Sequence, residues 1–213
     1  MNVKRVDLTE THNRIIRFIL NQEFSEEFYN TINRLDDKTR LRYFKNFFKH
    51  KKPSKEQIKN IVKDKNFLIR LEVQNNLAAF DATFQKELIG NFLQDQSVRI
   101  KVNALYATKP DNPDFDKQIN ILLSDESASV RELCRHLLKT KGVNFSEIYR
   151  QRIKKEELLS GSLIGLSEVG TIDDLPIFEQ YISSNKSKII IGCLTAINKF
   201  NPDIAKHHSL ELF

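Results

Sequence analysis

The chain has 213 residues, with 40% apolar and 29% charged side chains, enough to bury one sizeable core or two small ones, and a composition that excludes a disordered tail. Thirty-four Lys and Arg against 28 Asp and Glu give a formal charge of +6, while two cysteines exclude a disulfide scaffold. Six glycines and five prolines are few for the many turns of a β or α/β fold, so the chain reads as all-α.

The first predicted element spans Thr9 to Gln22, where Ile15, Ile16, Ile19 and Leu20 recur at helical spacing. It reads as a capping helix within residues 1–23. Next comes a strongly basic segment. Residues 38–65 hold 11 Lys and Arg but only Glu56 and Asp64, a charge of +9 that leaves −3 for the rest. Within it, Tyr43, Phe44, Phe47 and Phe48 claim one side of a helix. Lys52, Lys55, Lys59 and Lys63 continue at spacings of three and four.

From there the chain repeats. Ile61-Val62-Lys63-Asp64 precedes Leu68-Ile69-Arg70, and Phe92-Leu93-Gln94-Asp95 precedes Ser97-Val98-Arg99. Leu122-Leu123-Ser124-Asp125 precedes Ser129-Val130-Arg131. Asp36 upstream and Glu156 and Asn185 downstream extend the series, with spacings of 28, 31, 30, 31 and 29 residues. Each period reads as two helices. Phe84, Leu88, Ile89, Phe92 and Leu93 mark a first helix, and Val130, Cys134, Leu137 and Leu138 a second. Pro53, Pro110, Pro113 and Pro202 fall between periods, and Gly142 and Gly170 fall at helix ends. A hairpin of roughly 30 residues cannot bury both faces alone, so the hairpins must stack.

The expected architecture is therefore an α-solenoid of about six stacked hairpins over residues 24–203. Residues 204–213 form a partial terminal repeat, the whole being one domain. The turn chemistry, Asp followed by an aliphatic-Arg pair, resembles the HEAT repeat, in particular its short bacterial phycobilisome-lyase form. The resemblance is strongest in the three central periods. Ser160 and Ile190 stand where the fifth and sixth would carry Arg. It implies that Asp64, Arg70, Asp95, Arg99, Asp125 and Arg131 form a structural ladder, with Asp at each inter-helix turn accepting N–H bonds at the next helix start.

Catalytic and metal chemistry find little support. His12, His50, His136, His207 and His208 show no i, i+4 pairing, and no His-Glu pair of the kind used by HEAT-like iron hydroxylases occurs. Cys134 and Cys193 occupy equivalent second-helix positions and read as packing residues. No catalytic residue, metal or cofactor is assigned, and the expectation is a non-enzyme. HEAT-like DNA glycosylases build their lesion pocket around Trp, and this chain has none.

Two functions remain, of different classes. One is a protein-interaction scaffold with another protein as partner, as the HEAT resemblance implies. The other is nucleic-acid binding through a basic face made by Lys38, Arg40, Arg42, Lys45, Lys49, Lys52, Lys55 and Lys59. A solvated charged face is the alternative reading of that row. The strongest apolar run, Ile189 to Leu194, is too short to span a bilayer, and no leader opens the chain. A cytoplasmic setting is expected, with the chain either ending on a half-repeat or being part of something longer.

Overall fold

The computed structural model describes residues 26–108 and 113–211, so the expected helix at residues 9–22 and the turn at Pro110 lie outside the described residues. The described residues are helical and contain no strand. Contacts divide the chain into two compact units, one ending at Leu88 and the other starting at Ile89.

The first unit contains α1 (Glu26–Ile32), α2 (Asp37–His50), α3 (Lys55–Ile61), α4 (Phe67–Asn75) and the start of α5 (Ala82–Phe92). Polar residues ahead of each apolar stripe set the starts. Asp36 accepts the Thr39 N–H at 3.0 Å, and Asn66 accepts that of Leu68 at 2.9 Å. Ser54 and Gln57 form a reciprocal capping box. Helix α2 packs on α4, and α3 on α4. Between them Tyr43, Phe44, Phe47, Ile58, Ile61, Ile69 and Val73 are buried. Tyr43 stacks on Phe47 with ring centroids 5.9 Å apart. Burial of each such side chain contributes about 1.5–3 kcal/mol.

The second unit continues with α6 (Val98–Thr108), α7 (Asp116–Leu122), α8 (Ala128–Leu138), α9 (Phe145–Lys154), α10 (Leu159–Val169), α11 (Leu175–Tyr181), α12 (Ser187–Phe200) and α13 (Pro202–Glu211). Helices α7, α9 and α11 pack on the helices that follow them, α8, α10 and α12. In addition α6 packs on α8 and α10 on α12, so helices two apart in sequence also touch. The core positions repeat: Ile100 and Ala104, Val130 and Cys134, Ile189 and Cys193 are all buried at a spacing of four.

The turns repeat too. Oδ1 of Asp64, Asp95 and Asp125 accepts the N–H two residues on, from Asn66, Ser97 and Ser127, at 2.8, 2.7 and 2.8 Å. The sixth turn uses the Ser184 hydroxyl, which accepts the Lys186 N–H at 3.2 Å, so the turn residue is Ser184 rather than Asn185. The fifth turn differs. Glu156 and Leu158 both adopt left-handed backbone, at φ 56° and 47°. Helix α10 then approaches its neighbours closely. A Cβ on Gly161 would stand 1.7 Å from the Ser124 carbonyl oxygen, and one on Gly165 would stand 2.4 Å from the Tyr149 ring. Gly142 takes the left-handed conformation expected at a helix end, φ 65°, whereas Gly170 is extended.

Candidate functional site

The basic row does not reach solvent as a unit. Arg40 is 1% exposed. It stands at the head of the stripe Arg40, Tyr43, Phe44, Phe47, the i, i+3, i+4, i+7 face that helix α2 turns inward. Its guanidinium donates to Asp37 Oδ1 at 3.1 Å, to Asn33 Oδ1 at 2.9 Å and to the buried Asp64 carboxylate. Arg40 is thus a core ion-pair residue and leaves the expected surface set, because burying a guanidinium requires paired acceptors that a solvent-facing row would not supply. Three further members face acids within their own unit. Lys55 Nζ lies 2.7 Å from Asp81, Lys59 Nζ 3.3 Å from Glu87, and Lys45 Nζ 3.8 Å from Glu72. The Lys55 bond holds the exposed Asp81 carboxyl below the usual carboxylate range, with the Phe84 N–H adding to the effect. Lys38, Lys49 and Lys52 are exposed, and Arg42 is half-buried.

The ladder residues are local and inter-helix ties. Arg70 donates to its own turn, at the Asp64 carbonyl, 2.6 Å, and Arg131 does the same to the Asp125 carbonyl, 2.6 Å. In the third period the equivalent residue is Lys101, six positions after Asp95, as Arg70 and Arg131 follow Asp64 and Asp125 by six. Lys101 pairs with Asp125, while Arg99 is exposed. The register of that period is therefore two residues later than expected, since Ile100 and not Val98 fills the buried position matched by Ile69 and Val130.

A further polar network lies in the second unit. Arg131, 2% exposed, reaches Glu168, which also accepts from Arg135 at 2.7 Å. Arg135 donates to the Tyr149 hydroxyl at 3.3 Å, and that hydroxyl donates to the Leu123 carbonyl at 2.8 Å. Burial pushes the Glu168 carboxyl up, but bonds from Arg131 and Arg135 outweigh it and leave the carboxyl below its ordinary value of 4.5. Arg131, Arg135 and the Tyr149 hydroxyl all bond groups on other helices or turns, so the network ties helices together. Cys134 and Cys193 are buried, and burial pushes both thiols up to about 12, which keeps them un-ionised at neutral pH. No cluster of three or more His, Cys, Asp or Glu with metal-binding geometry occurs among the described residues.

Hollows open among the described residues include one of about 370 Å³ beside the fifth turn, lined by Ser124, Glu156 and Gly161, and two others. One, of about 430 Å³, lies in the first unit where the α1 end meets the turn after α3. The Tyr29 hydroxyl spans its wall, its one hydrogen shared between two acceptors, the Asn60 carbonyl at 3.2 Å and Asp64 Oδ2 at 3.4 Å. Burial and the neighbouring Asp64 charge push the phenol up to about 12. The other, of about 270 Å³, is an apolar groove between α10 and α12 lined by Ile164, Ile191 and Gly192. Neither of these two follows from the sequence spacing alone. The signal for the hollow of the first unit was Arg40, a cation on an otherwise aromatic stripe.

No family model and no curated protein matches the chain. Among the described residues no helix is long and apolar enough to cross a membrane.

Proposed function

We propose that the chain is a HEAT-like α-solenoid that serves as a non-enzymatic scaffold for another protein, in the cytoplasm, where Cys134 and Cys193 stay reduced. The observation that carries this reading is the packing of α6 on α8 and of α10 on α12, alongside the pairing of α8, α10 and α12 with their own hairpin partners α7, α9 and α11. Repeats that touch both their partner and the next repeat present long ridged surfaces, and such surfaces bind proteins. Large apolar groups stand in water on these helices: Tyr106 on α6 is 70% exposed and Ile191 on α12 is 63% exposed. Exposed aromatic and aliphatic groups of that size suit a protein interface better than a phosphate backbone.

Affinity capture from native-cell extract, with and without nuclease, tests the reading. A protein partner retained after nuclease, and lost from the double variant Tyr106→Glu/Ile191→Glu at unchanged melting temperature, is the expected result. Capture that disappears with nuclease would favour the second reading, nucleic-acid binding, for which Lys38, Lys49 and Lys52 remain exposed.

A further inference from the structure

The hollow of the first unit differs from the lysine row beside it. Every residue that lines it carries a polar group on its side chain. Asn30, Asn33 and Asn60 offer carboxamides and Tyr29 a hydroxyl. Arg40 and Asp64 are buried against it, and Lys63 and Lys65, the two residues flanking Asp64, also line it. Three cations therefore face one carboxylate. Both lysines are exposed, and neither ammonium has an acid within ion-pair distance among the described residues. Lys55 and Lys59, by contrast, are paired with Asp81 and Glu87. Arg40 adds a second, independent observation. Its Nη atoms are engaged by Asp37, Asn33 and Asp64, yet its buried Nε hydrogen has no acceptor. Buried donors without a partner are rare in folded proteins and point to an acceptor that binds there.

We propose that this hollow binds the phosphate group of a small phosphorylated molecule, with Lys63 and Lys65 supplying the charge and the asparagine carboxamides the directed bonds. Two observations select a small ligand over a nucleic acid. The volume of about 430 Å³ holds a metabolite-sized group. Beyond the hollow, the helices present Asp81, Glu87 and Glu72 beside their lysines, and these carboxylates would repel a long polyanion that continued across them. The site is separate from the protein-docking reading and stands or falls without it.

Isothermal titration of the full chain with inorganic pyrophosphate at low salt tests the site. Saturable one-to-one binding is expected. Lys63→Gln/Lys65→Gln is expected to weaken it at least about tenfold, and Asn30→Asp, which places a negative charge on the wall without touching Arg40, by a similar factor. Lys49→Gln/Lys52→Gln, which removes the same charge from the helix row, should change it less than about twofold. All three variants alter exposed side chains, so melting temperatures should match the wild type. No saturable binding, equal weakening by both lysine pairs, or an oligonucleotide that binds more tightly than pyrophosphate at equal phosphate concentration would overturn the proposal. Protein capture by the Lys63→Gln/Lys65→Gln variant reports on the scaffold reading separately.

Discussion

A charged residue on an apolar stripe is the feature that most changes the reading of this chain. Arg40 looked like one cation in a row of eight, yet it occupies the first position of an inward face completed by Tyr43, Phe44 and Phe47. The sequence held this information, since the spacing of three, four and seven was visible. What it could not supply was the partner, because Asp64 lies 24 residues away and meets Arg40 only after folding. Removing one member of a buried pair strands the other charge. Arg40→Met should therefore destabilise the first unit by about 3–5 kcal/mol in a urea titration, and adding Asp64→Leu should recover much of that. Glu168 sets a pH dependence by the same logic. Its carboxyl is held below the ordinary 4.5 in the folded chain. Its contribution is therefore complete above that value, and is lost as pH falls from about 4.5 through the lower folded value. Thermal melts taken as pH is lowered through this window should show Glu168→Gln losing less stability than the wild type.

The turn is the element that the sequence revealed best. The aspartates at 64, 95 and 125 were identifiable from their spacing, and each accepts an N–H at the following helix start. Asp95→Ala should cost about 1 kcal/mol in chemical denaturation, the scale of a lost cap. The register after the turn was harder to read, because Val98-Arg99 mimics the aliphatic-Arg pair two residues early. Counting six residues from each Asp gives Arg70, Lys101 and Arg131, and the buried aliphatic residues before them confirm that register. Helix α10 was read least well. Its glycines at 161 and 165 carry no turn signal, and their purpose is visible only as contact with the Ser124 carbonyl and the Tyr149 ring. A methyl at 161 meets backbone that cannot rotate away, so Gly161→Ala should destabilise by about 3 kcal/mol, the upper end of ordinary overpacking. A melting curve of that single variant measures it.

At the scale of the whole molecule the charge is divided as the contacts are. Residues 1–88 carry 18 Lys and Arg against 12 Asp and Glu, and residues 89–213 carry 16 of each, so the entire excess of +6 belongs to the first unit. Helical content and the absence of strands among the described residues were legible from composition and periodicity, whereas the division at Leu88 was not, because it falls inside the regular stripe of α5. The same excess fixes how the chain should respond to a polyanion. Each phosphate neutralised by a protein cation contributes about −0.9 to the slope of log binding constant against log salt. If all eight residues of the basic row engaged DNA, the slope would be about −7. The structure takes Arg40 into the core and sets Lys45, Lys55 and Lys59 against Glu72, Asp81 and Glu87. That leaves Lys38, Arg42, Lys49 and Lys52, and a slope of about −3.6, equivalent to roughly a hundredfold loss between about 50 and 200 mM salt. Filter binding with duplex DNA at four salt concentrations should return the shallower slope, with Lys38→Glu/Lys49→Glu, both exposed, abolishing binding while changing the melting temperature little, as exposed charges contribute little to folding. A slope of about −6 would mean that the three paired lysines exchange their carboxylates for phosphates on contact, and nucleic acid would then displace a protein as the favoured partner.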